Sequence, residues 1–245
     1  MRGTVTSIWR HPIKSHGREA LDEVTVSPGQ TMPGDRVWAV AHELSKADGS
    51  EWVSCANFSR VAKAPELMAM TARLLDGKVR LSHPKRPDLE FDPDTQATAF
   101  LDWVKPLMPA DRAASARIIR VPGRGMTDSD FPSVTLCNMA SHRAVEQKMG
   151  RDLSIHRWRG NIWFDGLPVW EEFDWIDREV QIGEAVFHVR ERTDRCAATT
   201  TNPETGIRDA DTLGTLETWG HKDFSVRAEV VRGGLIRVGD KVEPL

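Results

Sequence analysis

Residues 195–206 read Arg195-Cys196-Ala197-Ala198-Thr199-Thr200-Thr201-Asn202-Pro203-Glu204-Thr205-Gly206. The run starts as a strand-like segment with one thiol and continues through three threonine hydroxyls. It ends in Asn202, Pro203 and Gly206, residue types that make turns through a local side-chain bond, a fixed φ and freedom at positive φ. A thiolate is a soft, electron-rich donor that suits a metal already held by sulfur. An isolated cysteine in a strand is more often a small buried hydrophobe. Which reading applies to Cys196 depends on what the rest of the chain places around it.

Composition narrows the options. The chain has 245 residues, 40% of them hydrophobic, enough to bury a sizeable core in one large domain or two interlocked ones. A formal net charge of -3 gives no electrostatic basis for bulk nucleic-acid or membrane-surface binding, and neither is expected. Three cysteines without paired spacing argue for a reducing compartment and against a disulfide framework. Met1-Arg2-Gly3-Thr4 leads into the alternating Val5-Thr6-Ser7-Ile8-Trp9 without an apolar leader-type segment, and no apolar stretch approaches membrane-spanning length. A cytoplasmic location is expected.

Most of the chain reads as short strands between turn residues. Leu67 to Thr71 is expected to pair with Val79 to Ser82 through a tight turn at Asp76-Gly77, residues able to supply positive φ values. Gly34-Asp35, Gly183-Glu184 and Gly239-Asp240 each lead into a β-type run, which suits a barrel with tight corners. Ala97, Phe100, Leu101 and Val104 keep helical spacing until Pro106 and predict a helix over an open barrel face. A second helix is expected from an Asn138 cap to about Gly150, which can take the left-handed conformation that ends a helix. Residues 83–94, with Pro84, Pro87 and Pro93, and residues 121–132, with Pro122, Gly123, Gly125 and Pro132, read as connections.

Four further segments accompany the cysteine run: His11-Pro12-Ile13-Lys14-Ser15, Gly34-Asp35-Arg36-Val37-Trp38-Ala39-Val40, Arg157-Trp158-Arg159-Gly160-Asn161-Ile162, and Gly234-Leu235-Ile236-Arg237-Val238-Gly239-Asp240-Lys241-Val242. Each is weak alone. In this order, from the first residues to the last, the five resemble the MOSC superfamily, named for the molybdenum cofactor sulfurase C-terminal domain, and especially its amidoxime-reducing branch. The resemblance implies a mainly β fold with some α (α+β), a MOSC-type β-barrel assembly with a few covering helices. It also implies an N-terminal β-barrel-like domain over residues 1–110 and a MOSC domain over 111–245, with the molybdenum cofactor (Mo-molybdopterin) in a cleft between them.

By the same resemblance Cys196 is the protein ligand to molybdenum, and Lys14, Arg36, Arg159 and Arg195 hold the anionic pterin, since arginine's planar fork matches phosphate and pterin acceptors. Ser15, Thr135 and Asn161 add hydrogen bonds, and Asp130, before Pro132, is the candidate substrate-facing acid. Cys55 and Cys137, each in apolar surroundings, are assigned to the core. Charged residues at turns ordinarily only stay wet, so the set is carried by its joint occurrence. The chain departs from the family at several positions. Gly160 replaces the usual proline, Ser54-Cys55-Ala56-Asn57 stands where relatives show Thr-Ala-Arg-Gln, Thr193 stands where many carry a second cysteine, and His11 where they carry tyrosine.

The implied activity is a molybdenum-cofactor-dependent reduction of N-hydroxylated small molecules, hydroxylamines, amidoximes and N-hydroxylated bases, to amines or amidines. The cofactor carries the hard chemistry and the protein supplies orientation and electrostatics. No C-x4-C-x2-C run is present, so a separate iron–sulfur, haem or flavin protein is expected to deliver the electrons. The alternative is a cofactor or sulfur carrier that uses Cys196 for transfer.

Overall fold

The computed structural model describes residues 2–245; Met1 lies outside them. In chain order the strands are β1 (Gly3–Arg10), β2 (Glu19–Leu21), β3 (Glu23–Val26), β4 (Ala39–His42), β5 (Thr71–Leu75), β6 (Lys78–His83) and β7 (Arg86–Phe91), followed by helix α1 (Ala97–Val104). Then come β8 (Ser115–Ile119), β9 (Val134–Asn138), α2 (Met139–Met149), β10 (Ile162–Asp165), β11 (Glu179–Ile182) and β12 (Ala185–Asp194). The chain finishes with α3 (Thr212–Glu217), β13 (Asp223–Arg232), β14 (Gly234–Arg237) and β15 (Lys241–Pro244).

The larger sheet runs β10-β9-β13-β12-β11-β15-β1-β2, and β10 also pairs with β1. That pairing closes seven strands into a barrel and leaves β2 as an appendage of β1, so the fold is mainly β with few helices. The barrel is filled by one face of each strand: Val5 and Ile8 of β1, Val134 and Leu136 of β9, Phe187 and Val189 of β12, and Val226, Ala228 and Val230 of β13. Side chains alternate along a strand, so Val5 and Ile8 could not both point inward on a regular β1. A bulge between Val5 and Ser7, where β1 passes β10, adds the residue that returns Ile8 to the core. Strands β9 and β10 run parallel, which requires a crossover, and α2 supplies it. Its cap is as the sequence implies: the Asn138 side chain accepts from Ala140 N, and Gly150 ends the helix at φ 66°.

A second core lies outside the barrel. The β5-β6-β7 meander, the β4–β8 pair and α1 enclose Trp38, Val40, Leu67, Met70, Val79, Leu81, Phe91, Phe100, Trp103 and Val104. Strand β8 pairs with β4 across residue 110, while β1 belongs to the barrel, so in space the two bodies exchange strands relative to a cut at that point. Several local expectations are corrected. Strand β5 begins only at Thr71, because Pro65–Ala69 forms a 3-10 turn, and at Asp76-Gly77 only Gly77 takes positive φ. Residues 83–94 are not all connection: β7 carries Pro87 on the edge of its meander, next to a register shift, where a missing N–H breaks no ladder bond. After Gly34-Asp35 the strand starts at Ala39, and Arg36 is left-handed at φ 50°.

Histidines tie stability to pH. His11, His16 and His142 are buried, and burial lowers the pKa of each, His16 to about 4; burial and nearby arginines bring the half-buried His156 to about 4 as well. The unfolded chain takes up these protons near the ordinary value of 6.5, well before the native protein does. The unfolded state therefore binds more protons in the window between, and stability rises with pH there. The melting temperature should fall steadily from pH 7 to pH 5. His16→Gln should flatten that slope, and a parent profile flat across the window would contradict this account.

Candidate functional site

Between the barrel and the second core lies a cleft of about 340 Å³. Lys14, Ser15, Arg36, Thr135, Arg159, Arg195 and Cys196 all line it, so seven of the sequence-derived candidates converge from five distant segments. The volume falls in the range of small-molecule and cofactor pockets. Seven basic side chains line it, Lys14, Arg36, Arg159 and Arg195 with Arg60, Arg157 and Arg227, against two acids, Asp128 and Asp194, although the chain as a whole is net acidic. The positive charge is concentrated here.

Lys14 is far from an ordinary exposed turn lysine. It is 4% exposed, donates from Nζ to the Met126 carbonyl at 2.6 Å and to Asp128 Oδ1, and its pKa is lowered because burial outweighs the support of Asp128. The Asp128 side chain reaches solvent, yet its carboxyl sits against the cleft wall; that partial desolvation acts to raise its pKa, and the Lys14 charge and hydrogen bond overcome it and hold it below its ordinary value. Asp130 is corrected here. Its side chain is exposed and does not line the cleft, and its backbone carbonyl accepts from Arg124 Nη1 at 2.7 Å; the acid that faces the cleft is Asp128, two residues earlier.

Arg36 is fixed by a buried network. Asp35, 1% exposed, pairs with the Arg36 guanidinium and accepts from His11 N at 2.7 Å, and its pKa is driven down by Arg36 and His11 despite burial. Arg36 Nη2 donates to the Arg159 carbonyl at 2.9 Å. Asn161 is fully buried and does not line the cleft: its Oδ1 accepts from Thr135 N at 3.1 Å and its Nδ2 donates to the Trp9 carbonyl at 3.1 Å. It therefore ties β1 to β9 beneath the site, a positioning role in place of the expected ligand contact.

Ser15, Arg36 and Arg159 all have positive φ, at 66°, 50° and 50°. Non-glycine residues rarely hold this conformation, and it costs roughly 1–3 kcal/mol where it occurs. Ser225, at φ 71°, accepts from Arg195 Nη2. Of six such residues, four therefore belong to the cleft or brace it.

Strand β12 ends at Asp194, so the strand-like reading stops short of Cys196. The thiol is exposed in the cleft at the start of a 3-10 turn over Ala197–Thr200, and Thr199 donates to the Cys196 carbonyl from N and from Oγ1, each at 3.1 Å. The following turn is pinned to the other body: Arg18 Nη1 reaches the Pro203 carbonyl and Arg208 Nη2 the Ala62 carbonyl. Arg195 gives its donors to the carbonyls of Phe224 and Trp158, so it offers charge to the cleft and little hydrogen bonding. Arg159 is different. Among the described residues its side chain is bonded only to the Gly17 carbonyl at 3.3 Å, and burial and Arg36 make its charge costly, lowering its pKa to about 9. An anion beside it would relieve both penalties.

Two buried polar atoms on the cleft lining, Thr193 Oγ1 and Arg157 Nε, have no hydrogen-bond partner among the described residues. Orphaned buried groups are uncommon and call for an explanation. With the exposed thiol and the guanidinium of Arg159, they fit an anionic, heteroatom-rich ligand such as a metal-bearing pterin phosphate. Among the described residues no cluster of three or more His, Cys, Asp and Glu side chains is arranged to hold a metal, and no helix is long and apolar enough to cross a membrane.

Sequence reading missed Arg60, Arg157 and Asp128. Arg157 stood inside the quoted Arg-x-Arg motif and Asp128 beside the chosen acid, whereas Arg60 carried no signal. Cys55 is also corrected: it is half-buried on the cleft wall, and its Sγ accepts from Arg60 Nη1 at 3.0 Å. Cys137 does belong to the core, where burial pushes its thiol up to about 12.

The family to which the closed barrel and its cleft belong is given by the sequence matches of the two halves of the chain. Residues 2–115 match the MOSC N-terminal beta barrel domain and residues 126–243 match the MOSC domain. The chain belongs to the MOSC family. It is 25% identical over 290 residues to mitochondrial amidoxime-reducing component 1 of Mus musculus, covering 98% of this chain and 82% of that protein. The crystal structure of the YuaD protein from Bacillus subtilis superposes with a TM-score of 0.47 at 11% identity, covering 100% of this chain and 96% of that one. YiiM from Geobacillus stearothermophilus gives 0.36 at 16% identity, over 46% of this chain and 53% of that one.

The glycine in Arg159-Gly160-Asn161 has a steric cause. A Cβ at Gly160 would lie 2.2 Å from Cys137 Sγ, so the buried thiol fills the room a larger residue needs. Gly160→Ala should destabilise the fold by about 1–3 kcal/mol through overpacking. Cys137→Ala in the same chain should recover much of that loss. Denaturant melts of the two single variants and the double variant measure the coupling, and additive effects would remove the steric explanation.

Proposed function

We propose that this protein is a molybdenum-cofactor-dependent reductase of N-hydroxylated small molecules, with Cys196 as the protein ligand to the metal. One observation carries the reading: an exposed thiol opens into a cleft walled by guanidinium groups, among them Arg159 with donors to spare. The likeness to a protein named for amidoxime reduction supports the choice of reaction class. Arg159, Arg36, Lys14, Ser15 and Thr135 would hold the pterin and its phosphate, Arg195 would add charge behind the thiol, and Asn161 would keep Arg36 and Thr135 in place.

When bound, the cofactor supplies the two-electron removal of oxygen from nitrogen. Converting R–NHOH to R–NH2 and water also consumes two protons, and the chain's own groups provide their route. Asp128 is in contact with solvent and hydrogen-bonded to Lys14 Nζ, which is buried in the cleft wall. Burial makes the Lys14 ammonium a stronger acid than an exposed lysine, and the Asp128 carboxylate beside it links it to solvent, so this pair would be the path by which protons reach the cleft. We place the protein in the cytoplasm, with electrons delivered by a separate iron–sulfur, haem or flavin protein and with no nucleic-acid or membrane partner.

Protein made in a host that synthesises the cofactor should contain about one molybdenum per chain, the single-thiol site having room for one soft metal. Cys196→Ser replaces a soft sulfur by a hydroxyl that stays protonated. It should keep the parent's melting temperature and lose reduction of a test hydroxylamine by more than about 100-fold. Cys137→Ser should affect stability and leave activity in place. Full activity in Cys196→Ser would end the ligand assignment, and a cyanide-labile sulfur on Cys196 without turnover would favour sulfur transfer.

A further inference from the structure

The residues that wall the cleft opposite the barrel form a short, well-braced segment. Trp52 Nε1 bonds the Thr127 carbonyl at 2.9 Å, Ser59 N bonds the Val40 carbonyl at 2.8 Å, and Lys63 N and Ala64 N both bond the Arg60 carbonyl. The backbone of this wall is therefore fixed from both sides. Phe58 is buried within it, and Lys14 Nζ lies 5.9 Å from the centre of its ring.

Arg60 projects from this wall into the cleft. Among the described residues its guanidinium has one hydrogen-bond partner, Cys55 Sγ at 3.0 Å, and no carboxylate. Sulfur is a weak acceptor and leaves the charge and most of the five donors of the fork unanswered. The other basic groups on the lining differ. Lys14, Arg36, Arg157 and Arg227 are each paired with an acid, and Arg195 is consumed by backbone carbonyls. Only Arg159, already assigned to the pterin phosphate, shares the condition of Arg60. A fixed guanidinium with open donors in a largely cationic pocket is a preformed bidentate site for an oxyanion.

We propose that Arg60 anchors a second oxyanion in the cleft, a phosphate or carboxylate group, at a subsite distinct from the one Arg159 serves. Cys55 holds the guanidinium against the wall and points its open edge at the ligand. Because the single phosphate of the pterin is already assigned to Arg159, the group belongs to a substrate that carries a phosphate or carboxylate beside its N–OH function, an attribution that rests on the proposed function. The anion site itself does not depend on the metal reading.

Titration of the purified, cofactor-free protein with inorganic phosphate at constant ionic strength tests it. Arg60→Gln should weaken phosphate binding about tenfold, the size of one charge-assisted bond, with an unchanged melting temperature. Lys63→Gln, an exposed cation outside the cleft on the same segment, should change it less than about twofold. Failure of the parent to bind phosphate, equal affinity in Arg60→Gln, or an equal loss in Lys63→Gln would overturn the proposal. Cofactor-loaded protein then separates the sources. Loss of pterin in Arg60→Gln would place Arg60 at the cofactor's own phosphate and overturn the second subsite. Retained pterin, with KM raised for a carboxylate-bearing hydroxylamine and not for a neutral one, assigns it to the substrate. A loss confined to free phosphate, with neither change, would overturn the assignment to a ligand.

Discussion

The cleft depends on one buried junction, in which Asn161 joins β1 to β9 and Asp35 holds Arg36 against the Arg159 carbonyl. Removing a partner from such a network would leave a charge or amide buried without compensation, which costs far more than the net value of the bond lost. The arrangement is therefore self-locking. The barrel holds Asn161, Asn161 and Asp35 hold Arg36, and Arg36 sets the backbone from which Arg159 reaches the cleft. A ligand entering meets donors already aimed, so little ordering cost falls on binding.

The same junction explains where the strain sits. Left-handed backbone at Ser15, Arg36 and Arg159 turns side chains out of the path a regular strand or turn would give them, and each is over-determined by neighbours. Lys14 N bonds the Trp38 carbonyl beside Ser15, and Arg36 N bonds the His11 carbonyl. Strain held in this way gathers at binding sites because folding alone gains nothing from it. The clustering of positive charge has the same character. Arg36 raises the cost of the buried Arg159 charge, a penalty that an anion would relieve.

Local chemistry made much of this legible. The Asn138 cap, the Gly150 end of α2 and the helix before Pro106 follow from backbone rules that act over a few residues. The Cys196 run, Lys14, Arg36 and Arg159 were visible because each sits in a motif whose spacing survives in the chain. What was hidden depends on distant contacts. The β1 bulge is set by packing against β10, the absence of a larger residue at position 160 by a thiol on β9, and the place of Cys55 and Arg60 by the docking of a loop with no regular structure. Asp128 and Asp130 differ in no property a sequence displays; only Lys14, more than a hundred positions earlier, distinguishes them.

Closure of the barrel joins Gly3 to Val242 and Thr4 to Lys241. The ring is therefore completed by a contact between strands far apart in sequence, and until β15 arrives from the ribosome β1 and β11 both lack that partner. The meander of β5, β6 and β7 with α1 needs only nearby residues and can condense early. The barrel belongs to the slow, high-contact-order class, with its apolar strands exposed to mispairing through most of synthesis. Correct pairing of the barrel would thus wait on the four residues of β15.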